Sequence, residues 1–235
     1  MFSGAYGFQA LYDNVDGIQD ALGDFWGNVS ATFVNNDAVL GYELINEPFM
    51  GDLWLDLMYL HTGHADYHNL QPMYENLQKK IRAQDEDTII FFEPITTDSS
   101  KKQTGFTQVP GGEAYSDRSA LSFHYYVPPN GNLEEHFESR RQDTQRLKMG
   151  GMLTEFDVSS LAANQPGGNW TESSLGAPTP TPLQKTAEVC DETLFSWLGW
   201  EYKIFHPITG ASYSIYHPDG SLNLPYLSTL TRTYP

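Results

Sequence analysis

The feature that most constrains the fold is an alternation between short apolar runs and amphipathic segments. Ala38–Ile45, Thr88–Phe92, Ala120–Tyr126, Gly151–Phe156 and Phe195–Trp200 are nearly continuous apolar runs of strand length. Runs without a polar alternate face predict strands buried on both sides, the condition of a parallel sheet covered by helices. Between them lie segments with helical spacing. Residues 15–36 place Ile18, Leu22, Phe25, Val29 and Phe33 at helical intervals; residues 70–83 do the same with Met73, Leu77 and Ile81; residues 133–147 are highly charged; and a last helix is expected near 183–193. Strand, helix, strand, helix predicts an α/β chain. Two loops are long: Phe49 to about Ala65, which is apolar, and Ala162 to Pro182, which is rich in Gly, Pro, Asn and Ser.

The competing α/β architecture is a doubly wound nucleotide-binding sheet. It would carry a phosphate-binding glycine loop after a strand, and neither G-x-G-x-x-G nor a P-loop is present. Instead, polar and acidic residues collect where the strands end: Asn46 and Glu47, Glu93, His124 and Tyr126, Glu155. Barrel enzymes assemble their sites at the C-terminal ends of strands. The expected fold is therefore a (β/α)8 TIM barrel, apparently incomplete, with about strands 4–8 represented by the five runs.

The chain has 235 residues, which suits one domain or slightly more. Its formal charge is −17, from 30 acidic against 13 basic residues, which disfavours nucleic acid and anionic membrane as partners. Aromatic residues make up 14%, a supply of flat rings of the kind that stack on sugar faces. Cys190 is the single cysteine, so no intrachain disulfide can form. No apolar run is long enough to span a bilayer. The opening Met1-Phe-Ser-Gly-Ala-Tyr-Gly7 carries no secretory-signal pattern and reads as the interior of a longer protein. Two sequons, at Asn28 and Asn169, suit a secreted or lysosomal/vacuolar protein.

Glu47 and Glu155 are the best-placed pair for acid–base chemistry. Glycoside hydrolysis needs two carboxyl groups across the scissile bond, one protonated and one ionised. Glu47 precedes Pro48, which biases it toward extended backbone. Glu93 also precedes a proline but lacks the asparagine that Asn46 provides to Glu47. The run His61, His64, His68 has the look of a metal site without a matching carboxylate, and no metal or cofactor is expected. No G-x-S-x-G elbow supports a serine hydrolase.

Asn46-Glu47-Pro48, His124-x-Tyr126, Glu155 and Trp200 follow one another in the order of glycoside hydrolase family 5. Gly4–Asn14, Gly41–Pro48, Phe91–Pro94, Leu121–Tyr126, Gly150–Phe156 and Trp197–Lys203 extend the resemblance along nearly the whole chain, in particular to endoglycoceramidases and their glucosylceramide-cleaving relatives. The resemblance implies a retaining enzyme with Glu47 as acid/base and Glu155 as nucleophile. It implies substrate-binding roles for Asn46, His124, Tyr126 and Trp200, and a glycosphingolipid or glycan as substrate. It also implies that the first three strands, and any C-terminal β-sandwich, lie outside these residues. The apolar loop Met50–Leu60 favours a ceramide-bearing substrate and transient contact with lipid. A β-glucanase of the same family, or an inactive carbohydrate- or lipid-binding fragment, are the alternatives.

Overall fold

A computed structural model describes residues 2–96, 103–126, 131–156 and 182–200, with isolated positions beyond (Tyr202, Tyr216, Gly220–Leu222, Leu224, Leu227 and Thr231). Strands β1 (Gly41–Glu43), β2 (Ile89–Phe92), β3 (Ser119–Tyr125), β4 (Gly150–Phe156) and β5 (Ser196–Trp197) form one sheet in the order β1-β2-β3-β4-β5. Glu43 pairs with Phe91 and Phe91 with Ala120, both in parallel register. Spatial order equal to chain order is the progression of a β/α barrel. A doubly wound sheet reverses direction part-way. The fold is thus the α/β barrel class expected from sequence.

Helices α1 (Phe2–Tyr12), α2 (Ile18–Phe33), α3 (Gln71–Arg82), α4 (Leu133–Leu147) and α5 (Pro182–Thr193) fill the connections. Four of the five lie within three residues of where the periodicity puts them. Helix α1 was not expected: its two glycines and weak amphipathicity hide it. The loop after β1 is not irregular throughout either. It contains a 3₁₀ turn at Leu57–Leu60 and a π-helical turn at Asp66–Leu70 leading into α3. The long loop at 162–182 and the Asn169 sequon fall almost wholly outside the described residues.

The chain divides into two compact units. The first comprises residues 1–123 and 129–152, the second residues 124–128 and 153–235. In the first, the core runs through Tyr42, Leu44, Met73, Tyr74, Leu77, Ile81, Ile90, Phe92 and Phe106, each under 5% exposed. Met73, Leu77 and Ile81 are completely buried, as their spacing predicts. Helix α2 corrects its expectation: Ile18, Phe25 and Phe33 are 41–55% exposed, while Leu22, Trp26 and Val29 pack on the core. Helix α2 approaches α3 closely because Gly23 and Gly27 face Lys80; a Cβ on Gly23 would meet Lys80 Cγ at 3.2 Å. At the head of β1, Gly41 is required for the same reason, since a Cβ would fall 2.4 Å from the Phe91 ring.

Candidate active site

In the first unit, Asn46 and Glu47 lie just past β1, Asn46 exposed and Glu47 half-buried. Sequence predicts extended backbone before Pro48. The structure instead puts Glu47 at φ 44°, in the left-handed region. Such a conformation costs a residue with a Cβ about 1–3 kcal/mol. In this conformation the Glu47 N–H donates to Glu93 Oε2 at 2.7 Å. Glu93, weighed from sequence as a rival acid, thus serves here as a hydrogen-bond acceptor, 2% exposed.

The backbone that follows Glu47 is fastened residue by residue. Pro48 O accepts from Thr96 N–H at 3.0 Å. Phe49 O accepts from the Tyr12 hydroxyl. Met50 O accepts from Asn69 Nδ2 at 2.8 Å, and Asp52 N–H donates to Gln9 Oε1 at 3.1 Å. Burial, followed by the charge of Asp66, pushes the Tyr12 phenol well above its ordinary pKa, so it stays a donor. Gly51 sits at φ 111°, and a Cβ there would strike Gln9 Oε1 at 2.4 Å. These supports (Gln9, Tyr12, Asn69) were not singled out from sequence. Their partners are backbone atoms, which leave no residue pattern, and only the glycine hints at the close approach.

Beyond this root the loop turns its large apolar side chains outward. Trp54 is 55% exposed, Leu55 79%, Leu57 65%, Met58 48% and Leu60 60%. Asp56 caps the 3₁₀ turn by accepting from Met58 N–H at 2.8 Å. Behind it, the His64 and His68 rings stack at 4.2 Å, with the Tyr59 ring 5.7 Å from His64. His64 Nε2 lies 4.0 Å from the Asp56 carboxylate. Burial, then the neighbouring His68, lowers the His64 pKa below its usual value.

The second unit carries the other predicted residues. The Tyr126 hydroxyl donates to Glu155 Oε2 at 2.7 Å, and His124 Nδ1 lies 3.5 Å from the same oxygen. The Glu155 side chain is 19% exposed and that of His124 is 7% exposed. The two-residue spacing of His124 and Tyr126 puts both on one side of the strand path, and β4 delivers Glu155 beside them. Trp200 is 54% exposed and anchored by its backbone, its N–H donating to Phe156 O at 3.1 Å. Trp197 packs edge-on against Phe156, with ring centroids 5.6 Å apart. A half-buried carboxylate with one oxygen fixed by a phenol donor has its other oxygen held in a set direction, the arrangement a nucleophile needs. Within each unit, therefore, the structure assembles one carboxylate with its supporting groups.

The cellulase (glycosyl hydrolase family 5) model matches residues 4–205. The chain belongs to glycosyl hydrolase family 5. An endoglycoceramidase of Cyanea nozakii is 39% identical over 236 residues, 98% of this chain and 44% of its own length. One of Hydra vulgaris is 43% identical over 198 residues, 84% of this chain and 35% of its own. The chain thus spans less than half the length of these relatives. Among solved structures it is similar to endo-glycoceramidase II from Rhodococcus sp. The lactosyl-enzyme intermediate of that protein superposes with a TM-score of 0.75 at 21% identity, over 97% of this chain and 49% of the other. Its ganglioside GM3 complex gives 0.71 at 20% identity, over 94% and 47%. At such identities these structures speak for the fold.

Proposed function

We propose that this family 5 chain carries the catalytic carboxylates of a retaining glycosidase that cleaves the β-linkage between a glycan, or a single glucose, and ceramide. Glu155 is the nucleophile. The Tyr126 hydroxyl at 2.7 Å holds Oε2, leaving the other carboxylate oxygen to attack the anomeric carbon. Glu47 protonates the departing ceramide oxygen, then takes a proton from the water that releases the sugar. Asn46 and His124 bind sugar hydroxyls, and the exposed Trp200 ring stacks on a sugar face.

The observation that carries the choice of lipid substrate is the outward apolar strip Trp54–Leu60 on a fastened root, seven residues beyond Glu47. A polysaccharide gains little from such a surface, whereas a ceramide gains the burial of two alkyl chains. The relatives named endoglycoceramidase support the same reading. A β-glucanase reading would leave the strip unexplained. Such a substrate supports a lumenal or secreted location, which is checked by fractionation and glycosidase sensitivity; of the Asn28 sequon, Asn28 is exposed and Ser30 is buried in α2.

The test uses the full-length protein. Glu155→Gln is expected to abolish turnover of every substrate. Glu47→Ala is expected to cut kcat/KM for glycosphingolipids and poor leaving groups by about 100-fold or more, with little effect on activated aryl glucosides, which need no protonation. Equal losses on both substrate types would remove Glu47 from the acid role. A crystal structure should show the two carboxyl groups about 5–5.5 Å apart; a spacing of about 6.5–9.5 Å would indicate inversion instead.

A further inference from the structure

We propose that Glu93 is a positioning residue for the acid/base: its buried carboxylate holds Glu47 in the left-handed conformation and so sets the direction in which the Glu47 carboxyl points. The inference rests on the acid/base reading of Glu47 given above.

A left-handed backbone is easiest for glycine, but glycine would delete the functional carboxyl. Glu47 therefore has to be held there by its surroundings, and the structure supplies the restraint. Its N–H donates to Glu93 Oε2 at 2.7 Å, a short hydrogen bond. Rotating Glu47 back to extended geometry would swing that N–H away and strip a 2%-exposed carboxylate of a donor. Removing a donor from a buried acceptor carries a penalty of the same order as the local strain, so the hydrogen bond offsets the cost of the strained conformer.

The clamp is itself immobilised. The buried Tyr74 hydroxyl donates to Glu93 O at 2.7 Å. Two residues on, Ile95 N–H donates to Asp66 Oδ1 at 3.0 Å, and the other oxygen of this fully buried carboxylate accepts from Gly105 N–H at 2.9 Å. Thr96 N–H returns to Pro48 O at 3.0 Å, so the chain after β2 grips the chain after β1 on both sides of Glu47. Glu93 needs a long side chain to reach across from its own strand. Aspartate would fall short, and a neutral glutamine would keep an acceptor oxygen without the charge.

The test compares Glu93→Ala and Glu93→Gln with Glu47→Ala in the full-length protein, on a phenyl and a dinitrophenyl glycoside. Glu93→Ala is expected to lower kcat/KM about 10–100-fold on the phenyl substrate, the effect of misplacing a catalytic group by about 1 Å. On the dinitrophenyl substrate the loss is expected to be about threefold or less. Glu93→Gln should recover most of the phenyl-substrate loss. Equal losses on both substrates, or none, would overturn the proposal. If Glu47→Ala shows no leaving-group dependence, the acid/base reading fails instead. The restraint is then still tested by amide hydrogen exchange at Glu47, which should be protected in the wild type, intermediate in Glu93→Gln and fast in Glu93→Ala. Unchanged exchange in the variants would overturn the clamp. Should Glu93→Ala not fold, the Glu93→Gln exchange rate and leaving-group profile decide alone, wild-type values in both refuting it.

Discussion

The Tyr126 hydroxyl reaches one oxygen of Glu155 at 2.7 Å, and removing it tests the nucleophile directly. Tyr126→Phe is expected to lower kcat/KM about tenfold on activated and poor substrates alike, because forming the glycosyl-enzyme needs the ionised carboxylate in either case. The loss of about 1–2 kcal/mol corresponds to one hydrogen bond to a charged group. A loss on one substrate type only would mean that Tyr126 merely shapes the pocket wall. The contrast with Glu47 is instructive at the same scale. Its identity and proline neighbour are legible in sequence, but its left-handed φ of 44° is not, because the group that holds it is 46 positions away.

At the scale of elements, the turn before β2 is built around Asp85. Its Oδ1 accepts from the N–H groups of Asp87 and Thr88 at 3.2 and 3.0 Å, and its Oδ2 from the Tyr42 hydroxyl at 2.8 Å. Burial alone would raise the Asp85 pKa, but the hydrogen bonds from Thr88, Tyr42 and Asp87 outweigh it and lower it. Burial first, and then the bond to Asp85, lift the Tyr42 phenol to about 12. Asp85 is thus a carboxyl whose folded pKa lies below its unfolded value. Its contribution is present above about pH 4 and is lost as pH falls through the folded pKa. Tyr42 is raised, so its contribution is complete below about pH 10 and is lost as pH rises through about 12. Asp85→Asn is expected to cost about 1–3 kcal/mol at neutral pH and to flatten both limbs, measured as melting temperature against pH. A variant curve parallel to the wild type would refute it. The apolar loop gives a second check at this scale. Gly51→Ala, forcing a Cβ to within 2.4 Å of Gln9 Oε1, should loosen the root and raise KM for glycosphingolipids.

At the scale of the whole molecule, two groups among the exposed apolar side chains give testable expectations. The first is the strip Trp54–Leu60. Trp54→Ser or Leu57→Ser is expected to raise KM for glycosphingolipids about tenfold and leave short aryl glucosides unchanged, because only the ceramide would lose buried area. A loss shared by both substrates would make the strip scaffold. The second comprises Tyr6, Ile18, Phe25, Phe33 and Leu40, all 41–64% exposed, together with β1, which among the described residues pairs on one side only. Unpaired strand edges and contiguous apolar side chains invite association. The 235-residue chain is therefore expected to self-associate on sizing chromatography. A monodisperse monomer would overturn this.

Alternation of buried strands and amphipathic helices was enough to specify the α/β class, because period and burial are written in local residue order. The strand-end positions of Asn46, Glu47, His124, Tyr126, Glu155 and Trp200 were legible for the same reason: each lies at the C-terminal end of an apolar run or directly after it. Helix α1 was not legible, since Gly4 and Gly7 weaken its signal and tertiary contacts override it. Nor was the half-exposed face of α2, because periodicity tells which residues share a face and not whether that face is covered. What only the tertiary structure decided was how the functional groups are held. Glu93 on Glu47, Tyr12 and Asn69 on the following carbonyls, and Tyr126 on Glu155 join residues 19–46 positions apart. Such bonds depend on where β1 to β4 bring the chain together, and no local pattern encodes that.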